Sequence, residues 1–201
     1  MNKLISKIGA AIVTMSVFLF ALFLIADFTF GSFLVCMFLP IGYIMMAAGF
    51  QNESKSERRV SANVGLVLAA IYATFILIVY FAQNTSVRLE NLNEQAKSIL
   101  DFKRGGLIFN YDLLGYGMMA LSTFFIGLSI ESKSKSEKWL KGLLIAHGIF
   151  FIACFVMPMT GMFKSMANGD SGKGGTIALV IWCMYFLPIG ILSFIYFGKN
   201  K

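Results

Sequence analysis

Charge is what this chain has least of. Its acidic and basic residues fill 13% of 201 positions, about half the ~25% usual for a soluble domain, so an ordinary water-facing surface is excluded. Histidine is scarcer still, with His147 alone. One histidine rules out an H-E-x-x-H zinc site and leaves little for proton relay or cysteine–histidine hydrolysis. Cysteine is limited to Cys36, Cys154 and Cys183, all in apolar surroundings. None stands at metal-ligand spacing from another, and an odd set inside spans makes no disulfide framework. They read as small packing residues. The sequence also lacks G-x-S-x-G, a phosphate-cradling glycine loop and a second intramembrane aspartate. The expectation is a protein that is not an enzyme and carries no cofactor.

Hydrophobic residues, by contrast, make up 58% of the chain and fall into six long runs, at about 8–26, 33–50, 62–82, 107–130, 143–163 and 176–197. Each approaches the ~20 residues a helix needs to cross a bilayer core about 30 Å thick. The reading is an all-α, polytopic transmembrane bundle of six spans, one domain over residues 1–201.

The net charge of +7 is distributed unevenly. With the N-terminus inside, one face receives Lys3, Lys7, Lys55, Arg58, Arg59, Lys133, Lys135, Lys138, Lys141, Lys199 and Lys201. The other receives Arg88, Lys97, Lys103, Arg104, Lys164 and Lys173, spread over longer loops. By the positive-inside rule both termini are cytoplasmic, in a plasma membrane. The basic face meets anionic lipid headgroups, so membrane lipids are the expected partners and nucleic acid is not. Lys3 and Lys7 before an apolar run have the form of a signal peptide, but the run is long for one and Leu24 stands where cleavage wants a small residue. The segment reads as an uncleaved first span. Abundant lysine, phenylalanine, isoleucine, asparagine and serine hint at an AT-rich bacterial genome.

Between spans 3 and 4, Leu89, Leu92, Ala96 and Ile99 recur at helical spacing, and Lys103-Arg104 before Gly105-Gly106 makes a helix stop. This predicts a short amphipathic helix on the outer face. Asn84-Thr85-Ser86 is a glycosylation sequon, relevant only in a secretory eukaryotic setting. Trp139, among lysines in the loop between spans 4 and 5, reads as an interfacial anchor. The last outer loop, 164–175, is rich in glycine, serine and asparagine and is expected to be mobile.

Few residues carry candidate chemistry. Asp112 is the one acidic residue well within a span, with Asn110 just before it. A carboxylate there is costly unless paired or hydrated. It is expected to pair with Arg104 or Lys103, with Asp27 of the first hairpin joining the same outer cluster. Asp112, Asn110, Arg104 and Asp27 are thus the candidate ligand or ion contacts. Pro40, Pro158 and Pro188 are candidate hinges, because proline removes a helical hydrogen bond and crowds the carbonyl four residues back. Two of them share Phe-Leu-Pro-Ile-Gly. His147, expected about one turn into span 5, reads as a hydrogen-bonded packing residue. Small residues (Gly9, Ala10 and Ala11; Gly65, Ala69 and Ala73; Gly115, Ala120 and Gly127) mark helix contacts.

From Leu114 to Phe150 the chain runs through a glycine-spaced helix, a basic turn with Lys138-Trp-Leu-Lys141, and a new helix containing Leu-Leu-Ile-Ala-His-Gly. That outline resembles families of six-helix bacterial membrane proteins of unassigned function. The resemblance implies the fold and no functional residue. Two functions fit the sequence. One is a non-enzymatic accessory or stress-related protein, acting through helix contacts with lipid, a membrane-protein partner or a second copy. The other is a small transporter or substrate-capture subunit with an outward pocket near Asp112.

Overall fold

The computed structural model describes residues 1–163 and 173–199, all helix, turn and loop. Its helices are α1 (Asn2–Ile25), α2 (Thr29–Glu53), α3 (Arg59–Ala82), α4 (Glu94–Leu100), α5 (Leu107–Ser129), α6 (Lys135–His147), α7 (Phe150–Met159) and α8 (Lys173–Gly198). Six helical segments are long and apolar enough to cross a membrane, with α6 and α7 together forming the fifth. Each packs on the next along the chain, and α8 returns to α1, so the six close into a ring.

Which side chains face inward explains why such helices need lipid. In α1 the buried positions include Ser6, Gly9 and Ser16, while Met15, Phe18 and Leu22 are exposed. Water would penalise that arrangement, whereas hydrocarbon tails accept it, and small residues then let the backbones meet. A methyl group on Gly9 would stand 2.7 Å from the Gly42 carbonyl oxygen, so α1 and α2 touch backbone to backbone. Ala10, Ala69, Ala73 and Ala120 are likewise buried within the chain.

One end of the ring gathers both termini. Lys3 Nζ donates to the Lys199 carbonyl at 3.3 Å, and Arg58 and Lys141 donate to the Ile130 carbonyl at 3.0 and 3.2 Å. Lys55 meets Glu131 at 2.7 Å, and this hydrogen bond holds the Glu131 carboxyl below the usual carboxylate range. Lys199 Nζ reaches Ser134 Oγ at 2.7 Å and Glu137 Oε1 at 2.9 Å. Ser134 and Glu137 form a capping box at the start of α6, each side chain satisfying a backbone N–H that the helix leaves free.

That box moves the fifth span. The expected helix at 143–163 instead begins at Lys135 and breaks at Gly148–Ile149, where i→i+3 hydrogen bonds tighten the turn. It ends at Met159, with Gly161 at a positive φ of 74°. His147 therefore lies 12 residues past Lys135, roughly 18 Å along the helix at ~1.5 Å per residue. It is a mid-depth residue rather than one a single turn from the surface.

The segment between the third and fourth spans also differs from expectation. The helix of α3 runs on through a π-helical stretch, Gln83–Val87, and the free-standing helix shrinks to the seven residues of α4, none buried. Leu89 and Ile99 remain exposed. The segment is held down by other means. Gln83 Nε2 donates to the Leu100 carbonyl at 2.7 Å, and Gln83 Oε1 accepts from the Phe102 N–H at 3.0 Å. Gly105, in the left-handed region at φ 65°, supplies the expected stop. The loop beyond α7 lies, over residues 164–172, outside the described residues.

Candidate functional site

A column of aromatic and polar side chains runs through the aliphatic core of the ring. Tyr43 of α2 packs edge-on to Tyr72 of α3 at 5.5 Å, Tyr72 packs on Tyr116 of α5 at 5.6 Å, and Tyr116 packs on Trp182 of α8 at 5.3 Å. Hydrogen-bonding groups along this column are either fully matched or conspicuously open.

The matched part surrounds His147. Trp182 Nε1–H donates to Nε2 at 3.1 Å, so Nδ1 carries the imidazole proton. Thr123 Oγ1, 2.8 Å from Nδ1, accepts that proton because its own hydroxyl donates to the Ala120 carbonyl at 2.8 Å. Tyr185 stacks on the imidazole ring, and its hydroxyl donates to the Leu143 carbonyl at 2.7 Å, inside the helix that breaks at Gly148. A second closed relay runs from Tyr43 Oη to Ser122 Oγ at 2.9 Å and from Ser122 to the Gly65 carbonyl at 2.6 Å.

The open part surrounds Asp112. On α5 the residues Ile108, Asp112, Gly115, Met119, Ser122 and Ile126 are all buried. Their spacing of four and three puts them on one helix face, so the carboxyl points into the bundle. Asp112 is 5% exposed. Tyr80 of α3 stands within reach of the carboxyl, but Oδ1 has no hydrogen-bond partner among the described residues. The Tyr72 hydroxyl and Asn84 Oδ1 share that condition. Tyr116 Oη lies 4.0 Å from Cys36 Sγ beside them.

Comparison with protein families matches none, and comparison with curated proteins and with solved structures finds no similar chain.

The candidate contacts from the sequence therefore separate. Asp112 does not pair with the basic residues above it. Arg104 pairs with Glu94 at 3.2 Å, and Lys103 Nζ reaches Thr29 Oγ1 at 3.4 Å. The cause is helical phase, which turns Asp112 inward while Asn110 is exposed on another face. Asp27 is exposed in the α1–α2 turn with φ 52°. Pro40 and Pro188 lie within the unbroken helices α2 and α8, and Pro158 lies one residue before the end of α7. The interruption in the fifth span is at Gly148, which packs so closely on Phe124 that an added methyl would stand 2.9 Å from its Cβ.

Sequence reasoning ended the third span at Ala82, left Gln83 unremarked and read Asn84 only as the start of a sequon. Both are buried, and both line a recess of about 360 Å³ with Phe33, Arg88, Asp101 and Lys103. Asn84 is thereby withdrawn from the surface that glycosylation requires. Phe33 packs on Tyr80 at 5.4 Å, and Tyr80 reaches Asp112, so Tyr80 links recess and carboxyl. The usable signal was two adjacent amides closing an apolar helix, since π-helical turns concentrate at functional sites.

Proposed function

We propose that this chain is a small solute-binding membrane protein, a transporter or a capture subunit, whose working group is the Asp112 carboxyl. It sits in the plasma membrane with both termini cytoplasmic and the recess outward. The observation that carries this reading is the buried carboxylate oxygen without a partner. A carboxyl in hydrocarbon costs several kcal/mol, and a purely structural one would have its lone pairs filled. The small-residue stripes weigh against the accessory reading, because they are spent on contacts within the chain.

Native mass spectrometry of the gently extracted protein tests the proposal. A stoichiometric small molecule is expected, lost in Asp112→Asn while the variant stays monodisperse. A wild-type protein carrying only lipid or a co-extracted membrane protein sinks the solute reading and restores the accessory one. For sidedness, single cysteines at Lys133 and Glu90, both exposed, should label from inside and outside respectively once Cys36, Cys154 and Cys183 are replaced. Lys133 serves better than Ser134, which caps α6.

A further inference from the structure

The outer recess holds a set of groups that the Asp112 reading does not use. Arg88 is fixed in place, with Nε donating to the Asn84 carbonyl at 3.1 Å and its guanidinium 4.7 Å over the Phe30 ring. Its remaining N–H groups have no carboxylate within ion-pair distance among the described residues, and neither does Lys103. Lys103 Nζ spends one long bond on Thr29 Oγ1 at 3.4 Å. Asp101 shares the lining, with Oδ1 accepting the Lys103 backbone N–H at 2.9 Å. Asn84, 8% exposed, sends its amide nitrogen to Met37 Sδ at 3.6 Å and leaves Oδ1 buried without a donor.

Two cations and one carboxylate together favour a particular ligand chemistry. A simple anion would satisfy the cations and leave the Asp101 carboxylate unanswered beside it. An uncharged solute would leave both cations unanswered. A volume of about 360 Å³ lies at the small end of the ~300–1,000 Å³ typical of small-molecule sites. We propose that the recess binds a small anionic group bearing an adjacent hydrogen-bond donor, as in an α-amino or α-hydroxy acid or an ethanolamine phosphate headgroup. The carboxylate or phosphate sits on Arg88 and Lys103, and the ammonium or hydroxyl donates to the Asp101 carboxylate. The assignment rests on the solute-binding reading for what becomes of the ligand, but not for its capture.

Isothermal titration of the full-length protein in detergent, with glycine, alanine, serine, glutamate and lactate as probes, tests it. At least one probe is expected to bind saturably. Lys103→Gln, at an exposed side chain whose one other contact is Thr29, should weaken that binding about tenfold or more, since hydrogen bonds to charged groups contribute ~1.5–3 kcal/mol. Lys103→Gln reports the recess and Asp112→Asn the carboxyl, so a probe lost from one variant and kept by the other separates failure of this site from failure of the Asp112 proposal. Native mass spectrometry distinguishes the sources. Phosphatidylethanolamine retained by wild type and lost from Lys103→Gln would support the chemistry and assign it to a lipid headgroup. Wild type that binds no probe and retains no such lipid overturns the assignment. So does binding that Lys103→Gln leaves unchanged.

Discussion

Two polar clusters share the core of this bundle, and they differ in whether their hydrogen bonds close. Around His147 every donor finds an acceptor, from Trp182 through the imidazole and Thr123 to a backbone carbonyl. Around Asp112 a carboxylate oxygen and the Tyr72 hydroxyl are left open, and Asn84 Oδ1 at the recess shares the condition. Burial alone is therefore no guide to function here, since His147 is 1% and Asp112 5% exposed. A closed network stabilises the fold, and an open one carries a standing cost that a bound group would remove.

If that contrast is right, breaking the closed cluster should destabilise most. His147→Ala removes a packed ring and strands the Trp182 N–H, and should cost about 3 kcal/mol from cavity and lost hydrogen bonds combined. Reversible unfolding in mixed micelles measures it. A cost below about 1 kcal/mol would mean the network is slack and the contrast false.

The closed network at the basic end sharpens the comparison next. Lys199→Ala strips one oxygen of Glu137, which keeps two backbone donors on the other. The Lys199 side chain is 32% exposed and partly screened, so about 1 kcal/mol is expected. Smaller again is Tyr43→Phe. Ser122 still donates to Gly65 in that variant, so what is lost is one interhelical donor shared between Ser122 Oγ and the Met119 carbonyl, about 0.6 kcal/mol by the average for membrane bundles. A loss above 2 kcal/mol would show that Tyr43 supports more than its contacts with Ser122 and Met119.

Much of this was legible in the sequence. Apolar run length located six spans, because a helix in lipid must cross about 30 Å without exposing its backbone. Helix ends were not legible from hydropathy, since lysines such as Lys3 and Lys7 sit inside the helix α1. The capping box at the start of α6 was in plain view as Ser134-x-x-Glu137 and would have placed the fifth span. The direction of Asp112 was equally available from the four-and-three spacing through Gly115, Met119 and Ser122. Proximity in sequence to Arg104 pulled the other way, toward an ion pair that helical phase forbids. The role of Gln83 was only half visible, as one of two adjacent amides after an apolar run, because its partners, Leu100 and Phe102, come from a separate segment.

The smallest expected stability effect is the most informative. Asp112→Asn exchanges a carboxyl for an amide of nearly the same shape and can keep its contact with Tyr80. What it removes is an ionisable group with an open oxygen, whose presence in hydrocarbon is costly. Stability should therefore stay within about 0.5 kcal/mol or rise by up to about 1 kcal/mol, against the large loss at His147. Tyr80→Phe provides the cross-check, since it deletes the other half of the same contact. Should both single variants lose about 2 kcal/mol and the double variant lose no more, the Asp112–Tyr80 contact would be a strut between α3 and α5. The two clusters would then be of one kind, and the functional weight would shift from the carboxyl to the recess above it.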